Sequence, residues 1–247
     1  MARLCIFAVL LAFASGAKAQ SISGVIDIER TLTKKSVTST IPLYQRGAVV
    51  KLGGQSEGDP LDYERSHVVV YLEGVDTQAA TTQSLPAFSM PQLNRQFSTD
   101  LLVIPAGATV SFPNLDPIFH NIFSLSKPKT FDLGSYDKGE TRKVTFPKPG
   151  VVYVYCHLHP NMEGTIFVTP SGWYTQADAS GRYTIKDVPP GRYTLVAWHK
   201  KVGFFRKTVV VEDGHDAVAN FVLPFTRDPE NTPPPAGSTT RSMAEGR

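Results

Sequence analysis

Apolar residues in this chain come in short bursts with a period of two, broken by glycine and proline roughly every ten residues. Residues 21–29 (Ser-Ile-Ser-Gly-Val-Ile-Asp-Ile-Glu) alternate like a half-buried strand, and 67–74 read as a second. A dense series follows at 96–98, 100–104, 109–112, 121–125 and 140–146. Val151-Val152-Tyr153-Val154 is a continuous apolar run that reads as a buried strand, and 164–168 closes the series. About seven short strands within some 80 residues predict a compact sandwich. After Pro170 a new set begins: a turn feeding a strand over 177–185, then strands at 192–199, 207–212 and 219–223. Between these sets, residues 30–66 read as a polar, loop-rich insertion with one strand near 47–52. Residues 75–91 read as a polar linker and 127–138 as a loop. Residues 225–247, with Pro233-Pro234-Pro235, read as a disordered tail.

Composition supports many strands over long helices, because 19 glycines and 19 prolines punctuate 247 residues. The first 19 residues have the form of a secretory signal: Arg3, an apolar stretch over 4–14 too short to span a membrane, and Ala17-Lys18-Ala19 before Gln20. Loss of that segment would remove Cys5 and leave Cys156 as the single thiol. An exported protein with one cysteine cannot close an internal disulfide, and a lone thiol in an oxidising space is vulnerable unless buried or bound to metal. Charge excludes little. Removing Arg3 and Lys18 leaves 23 basic against 22 acidic residues, with no basic surface for nucleic acid.

The chemistry concentrates at Tyr155-Cys156-His157-Leu158-His159-Pro160-Asn161-Met162, where the apolar run ends. A thiolate, an imidazole and a thioether fall within seven residues. Upstream, His120 stands in Asp116-Pro117-Ile118-Phe119-His120-Asn121. Two histidines, one cysteine and a weak axial methionine are the donors of a mononuclear copper electron-transfer site. His120, Cys156, His159 and Met162 are therefore the candidate metal ligands, and Asp116 and Asn121 the candidates for holding the ligand loops. His157 points away from Cys156 if strand geometry persists, toward solvent. His67, His199 and His215 lack ligand spacing and read as structural or surface residues. Trp173, Trp198, Phe204 and Phe205 read as packing.

Residues 91–170 resemble a cupredoxin of the amicyanin and plastocyanin type. The resemblance rests on Val110-Ser111-Phe112-Pro113-Asn114-Leu115-Asp116, on His120-Asn121, and on Cys156-x-x-His159-x-x-Met162. It implies a Greek-key β-sandwich, the same four ligands for one copper, and a role for Asn121 in tying the two ligand loops together. Residues 171–224 resemble a carboxypeptidase-regulatory-like sandwich, on Gly181-Arg182-Tyr183-Thr184-Ile185 and Val188-Pro189-Pro190-Gly191-Arg192-Tyr193-Thr194-Leu195. That family opens with strands that appear here far upstream, at 23–27 and 68–72. The fold expected is thus all-β: a cupredoxin inserted into a second, small immunoglobulin-like or transthyretin-like sandwich, with residues 20–90 pairing with 171–224.

The resemblance implies a periplasmic or secreted carrier of single electrons that docks a redox partner protein and is not an enzyme. The same ligands would serve a copper-delivery protein without redox work. A copper oxidoreductase subunit would use His157 at a second metal. Zinc fits the Cys-His-His donors but not the methionine. For the second sandwich, contact with carbohydrate or protein is the expected role. No span for a membrane follows residue 19.

Overall fold

The computed structural model describes residues 20–29, 59, 61–75 and 86–223. The expected signal segment, the strand near 47–52 and the tail at 225–247 lie outside them. The described chain is almost entirely β-strand, and its strands form four main sheets.

One sandwich is built from a five-stranded sheet and a three-stranded sheet. The first runs β6 (Leu101–Pro105), β12 (Glu163–Thr169), β11 (Gly150–Cys156), β8 (His120–Ser126) and β9 (Lys129–Tyr136). The second runs β10 (Thr141–Thr145), β7 (Thr109–Pro113) and β3 (Phe88–Ser89). Between them Val110, Phe112, Ile122, Val152, Val154 and Ile166 form a closed apolar core. Alternation explains the choice of face. Val152, Val154 and Cys156 of β11 turn inward, while Val151, Tyr153 and Tyr155 turn to the other side. Gly164 in β12 keeps this core tight, since a Cβ there would stand 2.5 Å from the Met90 side chain.

The second sandwich draws on both ends of the chain. Its strand β1 (Gln20–Ile28) pairs with β14 (Arg182–Val188), β17 (Ala217–Val218) and β18 (Phe221–Leu223). The facing sheet runs β13 (Tyr174–Gln176), β2 (Val69–Glu73), β15 (Gly191–His199) and β16 (Gly203–Val211). Strand β2 thus pairs with β13 and β15. Ile22, Ile26, Val70, Leu72, Ile185 and Leu195 fill this second core.

A third apolar seam joins the two. Leu101, Val103 and Phe167 from the five-stranded sheet pack against Val69, Tyr71, Val196 and Trp198. Strand β12 is consequently buried on both faces over nearly its whole length. The two sandwiches share one stack of four sheets.

Four expectations need correction. Residues 127–138 are largely the edge strand β9: Phe131 and Leu133 lean on the core and Tyr136 is buried, while Gly134, at φ +67°, and Asp132 disguise the alternation. The linker expected over 75–91 contains β3, whose two residues pair parallel with β7 and are too few to alternate. The polar stretch before residue 67 ends in a one-turn helix, α1 (Asp62–Ser66), too short for a periodic signal. Its Glu64 is buried against His199, a tertiary contact that no local pattern announces. The last long strand begins at Gly203 instead of residue 207, so Phe204 and Phe205 lie within the ladder with β15.

Candidate metal centre

His120 opens β8, and Cys156 ends β11, its antiparallel neighbour, in register with Ile122. The sheet therefore sets the distance between them. After Cys156 the chain turns back on itself: the Met162 amide donates to the His159 carbonyl at 2.9 Å, and the Cys156 amide to the Met162 carbonyl at 3.2 Å. The His157 amide donates to the Asn121 carbonyl at 3.0 Å, which ties the loop to β8. That tie runs through the main chain of Asn121; its side-chain oxygen is buried without a hydrogen-bond partner.

These constraints bring three donors together. Cys156 Sγ lies 3.6 Å from His120 Nδ1 and 3.5 Å from His159 Nδ1. All three donor atoms fall within 4.8 Å of one another, and among the described residues this is the one such group of histidine, cysteine and carboxylate donors. His120 is fully buried and Cys156 is 5% exposed. Met162, 1% exposed, packs in the same apolar cluster as Cys156. His157 is exposed, stacked on Phe123 at 3.7 Å between ring centroids, with Asp132 3.6 Å from its Nε2.

The donor set suits a metal cation. His120 Nε2 faces the Asp116 carboxylate at 2.9 Å, so that nitrogen carries the proton and Nδ1 is the one turned to the sulfur. One thiol proton cannot satisfy two imidazole nitrogens, whereas one cation satisfies all three donors. Burial, reinforced by His120 and Arg95, holds the His159 ring below its usual pKa, in the neutral form a ligand needs.

Asp116 is 4% exposed. Burial opposes its ionisation, but the amides of Arg95 and Asn94 and the His120 ring outweigh it and keep the carboxyl below the usual range. Around it lies a buried polar network that nothing in the local sequence singles out. Asn114 donates to the carbonyls of Ile118 and Tyr136, and the Tyr136 hydroxyl donates to Gln92 Oε1 at 2.7 Å.

His67 and His199 meet at a second place, a cavity of about 150 Å³ where α1, β6, β12 and the β15–β16 turn converge. His67 faces the Tyr63 carbonyl at 2.6 Å and the Asp100 carboxylate at 2.8 Å. Burial opposes protonation of the ring, but the Asp100 carboxylate and the Tyr63 carbonyl outweigh it and raise its pKa above the ordinary value. His199 faces buried Glu64 at 3.2 Å, and burial lowers its pKa to about 4.

Residues 162–224 match the family model of the carboxypeptidase regulatory-like domain. No curated protein matches the chain. Among solved structures, a copper-containing nitrite reductase from Thermus scotoductus SA-01 is 28% identical over 35% of this chain, with a TM-score of 0.33. The match spans only 23% of that enzyme's length. A reduced tryptophan-to-tyrosine mutant of amicyanin is 20% identical over 40% of this chain and 98% of its own, with a TM-score of 0.33. A purple cupredoxin from Nitrosopumilus maritimus is 29% identical over 34% of this chain and 100% of its own, with a TM-score of 0.31. No helix among the described residues is long and apolar enough to cross a membrane.

Proposed function

We propose that this protein is an exported, periplasmic or secreted copper protein that accepts and passes on single electrons at one site per chain. The observation that carries this reading is the convergence of one thiol and two imidazoles at 3.5–3.6 Å, from two strand ends locked in one sheet. His120, Cys156 and His159 would hold the ion, with Met162 as a weak fourth ligand. Copper bound there would supply a one-electron couple, soft sulfur favouring the reduced state and imidazole serving both.

The protein's own part is rigidity. His120 is fixed by its strand and by Asp116, Cys156 by its strand and the Met162 carbonyl. A donor set held by packed sheets moves little when charge changes. Phe119 and Leu158, each about half exposed, adjoin His120 and His159 in the chain and offer apolar surface to a redox partner protein. His159 is partly exposed, while Cys156 stays buried.

The strand pairing supports reading the metal-bearing sandwich as an insertion between β2 and β13 of a carboxypeptidase-regulatory-like sandwich. The inserted unit would then be held by two chain crossings and by the apolar seam, which makes the second sandwich a rigid mount for contact with protein or carbohydrate.

Metal analysis and an optical spectrum of the purified protein test the proposal. One copper per chain, intense visible absorption in the oxidised form and a reversible one-electron couple are expected. Copper that is bound colourlessly, only as Cu(I), and handed to an acceptor would make it a delivery protein instead.

A further inference from the structure

We infer that the hairpin of β4 (Gln92–Leu93) and β5 (Gln96–Phe97) is a positioning element of the metal centre: the turn amides of Asn94 and Arg95 grip the Asp116 carboxylate, which sets the ring of His120. The inference deepens the copper reading and rests on it for its purpose, but not for its geometry.

The two turn residues have φ of +57° and +58°. A two-residue loop with both central residues left-handed is a tight hairpin turn, and Arg at such a position is unusual. The conformation delivers two successive amides to one carboxylate. Asn94 N donates to Asp116 Oδ1 at 2.6 Å and Arg95 N to Oδ2 at 2.8 Å. Each carboxylate oxygen is thereby pinned, and Oδ2 also accepts from His120 Nε2. The Asp116 amide donates to Asn114 Oδ1 at 2.9 Å, so the residue is held from its main chain as well. A carboxylate fixed at both oxygens fixes the plane and the tautomer of the ring it receives. The opposite nitrogen is then aimed at Cys156 before any ion arrives. The hairpin lies more than 20 residues upstream of His120 and contains no metal-binding side chain, which is why sequence spacing does not reveal it.

The test uses metal-free, full-length mature protein labelled with nitrogen-15. Long-range nitrogen–proton correlations at the His120 ring should show a single tautomer protonated at Nε2, and the Arg95 amide should be protected from exchange although its residue is exposed. Asp116→Asn should mix the tautomers, deprotect that amide and weaken Cu(I) binding by about 10- to 100-fold. Arg95→Gly, which keeps the amide and suits the left-handed backbone, should leave tautomer and protection unchanged. A single tautomer and an affinity within about threefold in folded Asp116→Asn would overturn the inference and leave the copper reading standing, given the far larger loss expected of a broken ligand support. Tautomer mixing in Asp116→Asn with no copper uptake by the wild type would uphold the positioning and sink the copper reading. If Asp116→Asn does not fold, an unprotected Arg95 amide or mixed His120 tautomers in the wild type would overturn the inference alone, and protection with one tautomer would uphold it.

Discussion

Phe167 and Trp198 lie ring against ring across the seam between the two sandwiches, with centroids 4.5 Å apart. Phe167 stands on β12, which leaves the ligand loop directly after Met162. Trp198 stands on β15, and each ring is nearly fully buried. The seam packs the sandwich that carries Cys156 directly against its neighbour. Phe167→Ala should cost about 3–5 kcal/mol, the range for emptying a large aromatic site in a core. Chemical denaturation followed by fluorescence should show one transition in the wild type. Two separated transitions in the wild type would mean that the seam couples nothing.

Met162→Leu separates the packing of this residue from its ligand role. Leucine nearly conserves the volume, so the stability loss should stay below about 1.5 kcal/mol. If Met162 is the weak axial ligand, copper stays bound and its reduction potential changes, because the axial ligand tunes that potential. Voltammetry decides the matter; an unchanged potential would assign Met162 to packing alone.

Chelation should leave the fold in place. The candidate ligands sit in a packed core and in a closed hydrogen-bonded loop, so they do not need an ion to assemble. Metal-free protein should keep its strand-type circular dichroism. At a copper concentration about a thousand times Kd, the gain is about 4 kcal/mol, read as a rise in Tm. A metal-free protein that loses its β signature would contradict this.

The buried His199 gives acid sensitivity a definite window. Its folded pKa is lowered to about 4 by burial, although Glu64 beside it pulls the other way. Below the unfolded value near 6.5 the unfolded chain takes up a proton that the folded chain refuses, so stability falls as pH drops from about 6.5 to about 4. The loss should be about 2–3 kcal/mol. It should be absent from the pH profile of His199→Gln once each protein is referred to its own value at about pH 7.5, above the window. Parallel profiles for the two proteins would remove His199 as the cause.

Much of the strand order was legible because half-buried strands write their burial as alternation, as β1 and β7 do. The cluster of donor atoms at Cys156, His159 and Met162 was legible because the three residues come from one turn and lie close in sequence. Strand β9 was not, because its solvent-facing Asp132 and left-handed Gly134 look like loop residues. Nor was α1, whose one turn is held by a buried pair of Glu64 and His199 from distant parts of the chain. His67 showed no ligand spacing; the Asp100 carboxylate that helps raise its pKa comes from 33 residues away and reaches it only in the fold.

By itself the sequence determined the all-β class, the kinds of donor atom available and three of them at short spacing, since local periodicity and chemical identity do not depend on what lies across the molecule. Tertiary structure alone decided that His120 turns its Nδ1 toward Cys156, that a hairpin at 92–97 stands behind Asp116, and that two sandwiches share a seam. Those are relations between strands that meet only on pairing, and strand pairing joins residues whose separation along the chain carries no trace of their contact.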